Sequence, residues 1–147
     1  MREILFKAKR KDNGEWVEGY YCKINETTYC VKEEPVPTHH YILQETMTDW
    51  GLPNRFLQFE IDPDTNCQYT GGRDKYHTKI WENDICKVNT QNIDEEDGYF
   101  VVQWDAETLR FVLTGNGLVF DFDNLRMEQV EVVGNIFDNP KLLEAEQ

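Results

Sequence analysis

A chain of 147 residues is long enough for one domain or two small lobes sharing a core, and it needs no disulfide or metal staple to fold. Its 28 acidic against 15 basic residues, net -13, oppose duplex nucleic acid as a ligand, because Lys and Arg neutralising phosphate supply most non-specific affinity. Hydrophobic residues at 39% and aromatic residues at 13% exclude wholesale disorder, and no apolar run reaches the roughly 18 residues of a membrane span.

Ile4 to Lys9 alternates, with Ile4, Phe6 and Ala8 on one side and Leu5, Lys7 and Lys9 on the other, which predicts a half-buried strand. Lys11-Asp12-Asn13-Gly14 turns the chain, and Glu15 to Tyr21 resumes extension with Gly19 as a candidate bulge. Thr27 to Val31 is a β-rich third strand, ended by the prolines of Glu33-Glu34-Pro35-Val36-Pro37. His39 to Gly51 has no clean period and reads as a short helix or irregular loop. Phe56 to Ile61 is a strand, and Asp62 to Asn66 is a turn whose side chains cap their own backbone.

The stretch from Gln68 to Val88 organises the rest. An apolar edge runs into Gly71-Gly72, a charged turn follows, and Ile80-Trp81 and Ile85 to Val88 are strands joined by a tight turn. Asp94-Glu95-Glu96-Asp97 is an acidic loop. Tyr99 to Trp104 is a strand with apolar side chains on both faces, so both are at least partly covered. Arg110 to Leu113 pairs through Gly115-Asn116-Gly117 with Leu118 to Phe120, Asn-Gly being a strong hairpin signal. Val130 to Ile136 is the last strand, and Asn139-Pro140 opens a short helix carrying Leu142 and Leu143. The chain therefore reads as mainly antiparallel β, partly closed into a barrel, with few short helices and a soft boundary at Asp62 to Asn66.

Four blocks of this sequence resemble the YopX family, a group common in phages and prophages of Gram-positive bacteria. They are Lys9 to Gly19, Ile61 to Thr65 with Gln68 to Gly71, Lys79-Ile80-Trp81-Glu82-Asn83-Asp84-Ile85, and Val132 to Glu144. They keep the family order and span almost the whole chain. Gly72 stands where Leu is usual and Asn83 where Gly is usual. Asn is the residue that next best tolerates a left-handed backbone, so the turn at Asn83 survives. The resemblance implies a β fold whose C-terminal part is a small SH3-like barrel. It implies a phage or prophage context and no chemistry. With the soft boundary, the chain is expected to form one compact unit of an N-terminal β-rich lobe over 1–66 and that barrel with a short C-terminal helix over 67–147.

The residues themselves offer little chemistry. The chain has no serine, so a nucleophile must be Cys or Thr. Cys22, Cys30, Cys67 and Cys86 lack C-x-x-C spacing and read as free structural thiols of a cytosolic protein, consistent with an N-terminus too charged for a signal segment. Adjacent His39 and His40 on an extended strand point to opposite faces, which hinders joint metal ligation. The Asp94 to Asp97 run lacks the alternating ligand order of a calcium loop. No catalytic residue, metal or cofactor is expected.

Asp84 is either a contact beside Trp81 or a carboxylate that accepts backbone N–H groups in the tight turn. Arg2, Lys7, Lys9, Arg10 and Lys11 form a small basic cluster that reads as a solvated edge. From Gln91 to Gln147 there are 13 acidic and 3 basic residues, net -10, against 15 and 12 before that. Trp81, Asp84, Asp94, Glu95, Glu96 and Asp97 are thus the candidate protein-contact residues. The expected role is non-enzymatic, through contact with a protein partner or a second copy. Two alternatives are an acidic DNA mimic that blocks a host DNA-binding protein and an enzyme whose site is assembled in space.

Overall fold

The computed structural model describes residues 2–27, 36–89, 98–115, 117–125 and 127–144. The chain divides into two compact units, Glu3–Gln68 and Tyr69–Gln147.

In the first unit four antiparallel strands lie in the order β4-β3-β2-β1: β1 (Phe6–Lys9), β2 (Trp16–Asn25), β3 (Thr38–Thr46) and β4 (Arg55–Glu60). The β1–β2 hairpin turns through Gly14, whose φ of 72° is open to a residue without Cβ. Strand β2 pairs with β1 through Trp16–Gly19 and with β3 from Tyr20 onward. Gly19 is not a bulge, since the register runs through it unbroken. A Cβ there would collide with the carbonyl of Leu43, so the glycine marks a close approach of two backbones.

The stretch expected as a short helix or loop is strand β3. Its alternation is hidden because Tyr41 and Leu43 are apolar on one face while Ile42 is apolar on the other. Ile42, Ala8, Val17 and Ile61 form the buried core, with Phe6, Tyr21 and Phe59 packed against it. Asp62 caps a single 3₁₀ turn over Pro63–Thr65, its carboxylate accepting from the Asp64 N–H at 3.1 Å. The third strand expected at Thr27 to Val31 is not there at Thr27, and its other residues lie outside the described ones.

In the second unit the later residues of β5 (Cys67–Arg73) pair with β6 (Lys79–Trp81), with a register shift around Gly71, φ 89°. A five-stranded antiparallel sheet follows in the order β10-β9-β8-β7-β11. Its strands are β7 (Asp84–Val88), β8 (Gly98–Asp105), β9 (Arg110–Gly115), β10 (Leu118–Asp121) and β11 (Val130–Asn135). Ile80, Cys86, Val88, Phe100, Val102, Leu113 and Val130 are its buried core. Helix α1 is one turn, Lys141–Glu144.

The fold is mainly β and antiparallel. Strands β10 and β11 are the two edges of the sheet, and among the described residues no pairing joins them, so strand pairing does not close a barrel. On β8, Phe100 to Val102 are buried while Gln103 and Trp104 are exposed, so its cover stops part-way along the strand.

Candidate interaction surface

The motif-bearing turns are built to hold backbone. Asn83 takes φ 68°, and its main chain bonds Val102 O and Ile136 N–H at 2.8 and 3.0 Å. Asp84 Oδ2 accepts the Trp81 N–H at 2.9 Å. Trp81 is 4% exposed and packs its ring 5.4 Å from that of Tyr69, and Asp84 is 2% exposed. Both side chains are therefore buried rather than presented at the surface. Asp94, Glu95, Glu96 and Asp97 lie outside the described residues.

Asp74, which the sequence reading passed over, does the same work at larger scale. Its carboxylate is 1% exposed and accepts from Tyr76 N–H, Thr78 N–H and, from strand β11, Val132 N–H, each at 2.9 Å. An Asp just after Gly-Gly and before a Tyr-His turn was the available signal. The C-terminal block closes similarly. Asn135 Oδ1 accepts Phe137 N–H and Asp138 N–H, and the Asn139 carboxamide fills the space a Cβ on Gly134 would need.

The reactive residue types are also committed to structure. Burial, with added repulsion from Asp84 and Asp74, pushes the Cys86 thiol far above its ordinary range, so it forms no thiolate near neutrality. Cys67 is buried and donates to Thr65 O at 3.2 Å. His40 Nδ1 lies 2.6 Å from the Tyr21 hydroxyl on the core side. His39 lies on the other face, with Nε2 2.7 Å from Glu26 and Nδ1 2.9 Å from Glu60. Those two hydrogen bonds, Glu26 first, raise its pKa above the ordinary histidine value. Its two partners approach from opposite sides of the ring, so they cannot converge on one metal ion.

Two shallow clefts are lined by described residues. One, about 270 Å³, lies among Arg10, Lys11, Asp12, Gln58, Phe59 and Glu60, and in it Arg10 is held by both Asp12 oxygens at 2.7 and 3.0 Å. The other, about 260 Å³, lies between Phe111 and Phe122, where Arg110 pairs with Asp121 at 2.8 Å. Neither has a cysteine or a histidine in its walls.

One face of the first sheet exposes several apolar side chains among its polar ones. Leu43 stands opposite Tyr20 on one side and Gln58 on the other, and Glu45 stands opposite Phe56. Directly opposed residues share a face, so Tyr20, Leu43 and Phe56 point away from the core that Tyr21 and Ile42 enter. The Tyr20 and Phe56 rings meet edge to face at 5.9 Å and are 52% and 53% exposed. Trp16 shares this face near β1, with the Lys7 and Lys9 ammonium groups over its ring at 4.8 and 5.4 Å. The turn from β3 to β4 adds Met47, Trp50 and Leu52, with Trp50 fully exposed. The signal for this surface was consecutive Phe56-Leu57, which gives a strand apolar side chains on both faces.

These features define a mainly β protein of two units, the first of which exposes apolar side chains on one sheet face. The chain belongs to the YopX family: the family model, described as YopX protein, matches residues 5–144. The crystal structure of protein EF1440 from Enterococcus faecalis has a similar fold, with a TM-score of 0.57 and 18% identity over 97% of this chain and 99% of that one. No curated protein matches the chain.

Proposed function

We propose that this YopX-family protein is a non-enzymatic interaction module of phage or prophage origin, acting in the bacterial cytoplasm through protein contacts. The observation that carries this reading is the outward face of the first sheet, where Tyr20 and Phe56 are half exposed beside a turn carrying Met47 and a fully exposed Trp50. Contiguous exposed apolar surface marks interaction sites, and aromatic side chains dominate their energetics. The clefts support the same reading, since their walls offer no Cys–His pair.

We read the second unit as SH3-like. In support, its last strand β11 pairs with its first sheet strand β7, and 3₁₀ turns at Phe122–Asn124 and Met127–Gln129 precede that last strand. An acidic binding face is the second reading, favoured by the net charge of -10 after Thr90 and by Glu107 and Asp123 exposed in that unit.

The test is affinity capture from a bacterial host lysate with the wild-type chain, Trp50→Ser and the double variant Tyr20→Ser, Phe56→Ser. The apolar-face reading expects a protein retained by the wild type and lost by the variants at any salt. Retention that falls with salt and ignores these variants assigns contact to the acidic face. Equal recovery from all baits and from an empty resin sinks both.

A further inference from the structure

Strand β4 ends its sheet, and among the described residues nothing pairs with its outer edge from Arg55 to Phe59. The direction of its main-chain groups follows from two hydrogen bonds. Ile61 N–H donates inward to His40 O at 3.0 Å, whereas Glu60 O accepts from Lys11 N–H on the outer side at 2.9 Å. Residues of an antiparallel ladder alternate between inward and outward bonding. Phe56 and Gln58 therefore turn both N–H and C=O to the open edge.

Natural edge strands are blunted by proline, lysine, a bulge or a cover. Strand β4 has no proline, no lysine and no register shift against β3. It also exposes apolar side chains on both faces, Phe56 at 53% and Leu57 at 49%. An added strand would cover the edge and both flanks together. The surrounding charge selects what is added. Glu45 stands opposite Phe56 and Asp49 lies in the preceding turn, against Arg55, while at the other end of the strand the cations Arg10 and Lys11 are paired by Asp12 and Glu60. A second copy brings its own net charge of -13 to the same place, which opposes self-pairing.

We propose that the open edge of β4 binds an extended, basic segment of a partner protein by adding it as a further strand of the first sheet. This rests on the reading that the protein acts through protein contacts. Main-chain bonds from Phe56 and Gln58 give affinity, while alternate side chains of the segment meet Phe56 with Glu45 on one face and Leu57 on the other.

The probe is a six-residue peptide of alternating lysine and valine, capped at both ends, with its glutamate–valine counterpart as control. Titrated into isotope-labelled full-length protein, the lysine peptide should shift the Phe56 and Gln58 amide resonances and slow their hydrogen exchange about tenfold, with no response to the control. Gln58→Pro removes only an outward donor and should abolish the response while the rest of the spectrum is kept. Gln58→Lys leaves the ladder intact and should weaken binding about tenfold through like charge. Silence at both amides, an equal response to both peptides, or an unchanged response in Gln58→Lys overturns the proposal. So does concentration-dependent dimerisation of the free chain that Gln58→Pro removes, which assigns the edge to a second copy. Loss of a captured partner in the Tyr20→Ser, Phe56→Ser variant without any response at the β4 amides keeps the contact reading and rejects strand addition.

Discussion

His39 has two ring nitrogens, and each faces a carboxylate. A neutral imidazole carries one N–H and can donate to only one of Glu26 and Glu60, so the arrangement calls for the imidazolium. The folded pKa of His39 is raised, so its contribution to stability is fully present below the unfolded value of about 6.5 and is lost as pH rises through the folded pKa. Glu60 is lowered, chiefly by the hydrogen bond from His39, so its share is present above the unfolded value and is lost as pH falls through the folded one. The clamp is complete in the window between those two folded values. A proton NMR titration should give His39 a midpoint above 6.5, with Glu26→Gln and Glu60→Gln each bringing it down. A wild-type midpoint at the ordinary value would dispose of the clamp. The thiols divide as sharply. Alkylation mapped by mass spectrometry should label half-buried Cys22 in the native protein and reach Cys67 and Cys86 only after denaturation. Native labelling of Cys86 at a rate like that of Cys22 would contradict its burial.

Turns, more than strands, carry the recognisable blocks of this sequence. Asn83 keeps its left-handed backbone where a β-branched residue cannot without strain. Asn83→Val should therefore cost about 1 to 2 kcal/mol in urea unfolding while Asn83→Gly stays close to the wild type. Asp74 ties its own turn to β11, and Asp74→Ala strands three part-buried N–H groups. The expected loss is about 2 kcal/mol, read from the unfolding midpoint of the second unit, and a loss below about 0.5 kcal/mol would mean water replaces the carboxylate. The hairpins around Gly14 and Gly117 were legible because glycine punctuates them. Strand β3 was not, because its outer face is apolar where solvent exposure ordinarily leaves polar residues. That failure and the apolar outward face have one cause, since the half-buried Tyr41 and Leu43 blur the period by belonging to that face.

At the scale of the whole chain, a net charge of -13 sets a background of self-repulsion that packing must overcome. Raising salt from low to about 0.15 M, where the Debye length is about 8 Å, should raise the melting temperature. A flat response would mean that local pairs such as Lys75–Glu131 and Arg110–Asp121 already neutralise what matters. Composition and pattern were enough for a mainly β chain, and the four resembling blocks for the family. They did not point to the exposed apolar face, because Trp81 and Asp84 stand out in the sequence for reasons of backbone geometry and are buried, while Tyr20 and Phe56 come together only when β3 joins their strands. Strand β11 meets β7 only across the whole of β8, β9 and β10, pairing Asn135 with Asp84, and Asn139 reaches Gly134 later still. On a translating ribosome the first unit can finish its ladders while the second is still being threaded out, but the second must wait until Asn139 has emerged. A message broken before Asn139 would release a completed N-terminal sheet joined to one whose final strand is unlatched, a product marked for aggregation or degradation by its unsealed β7 edge.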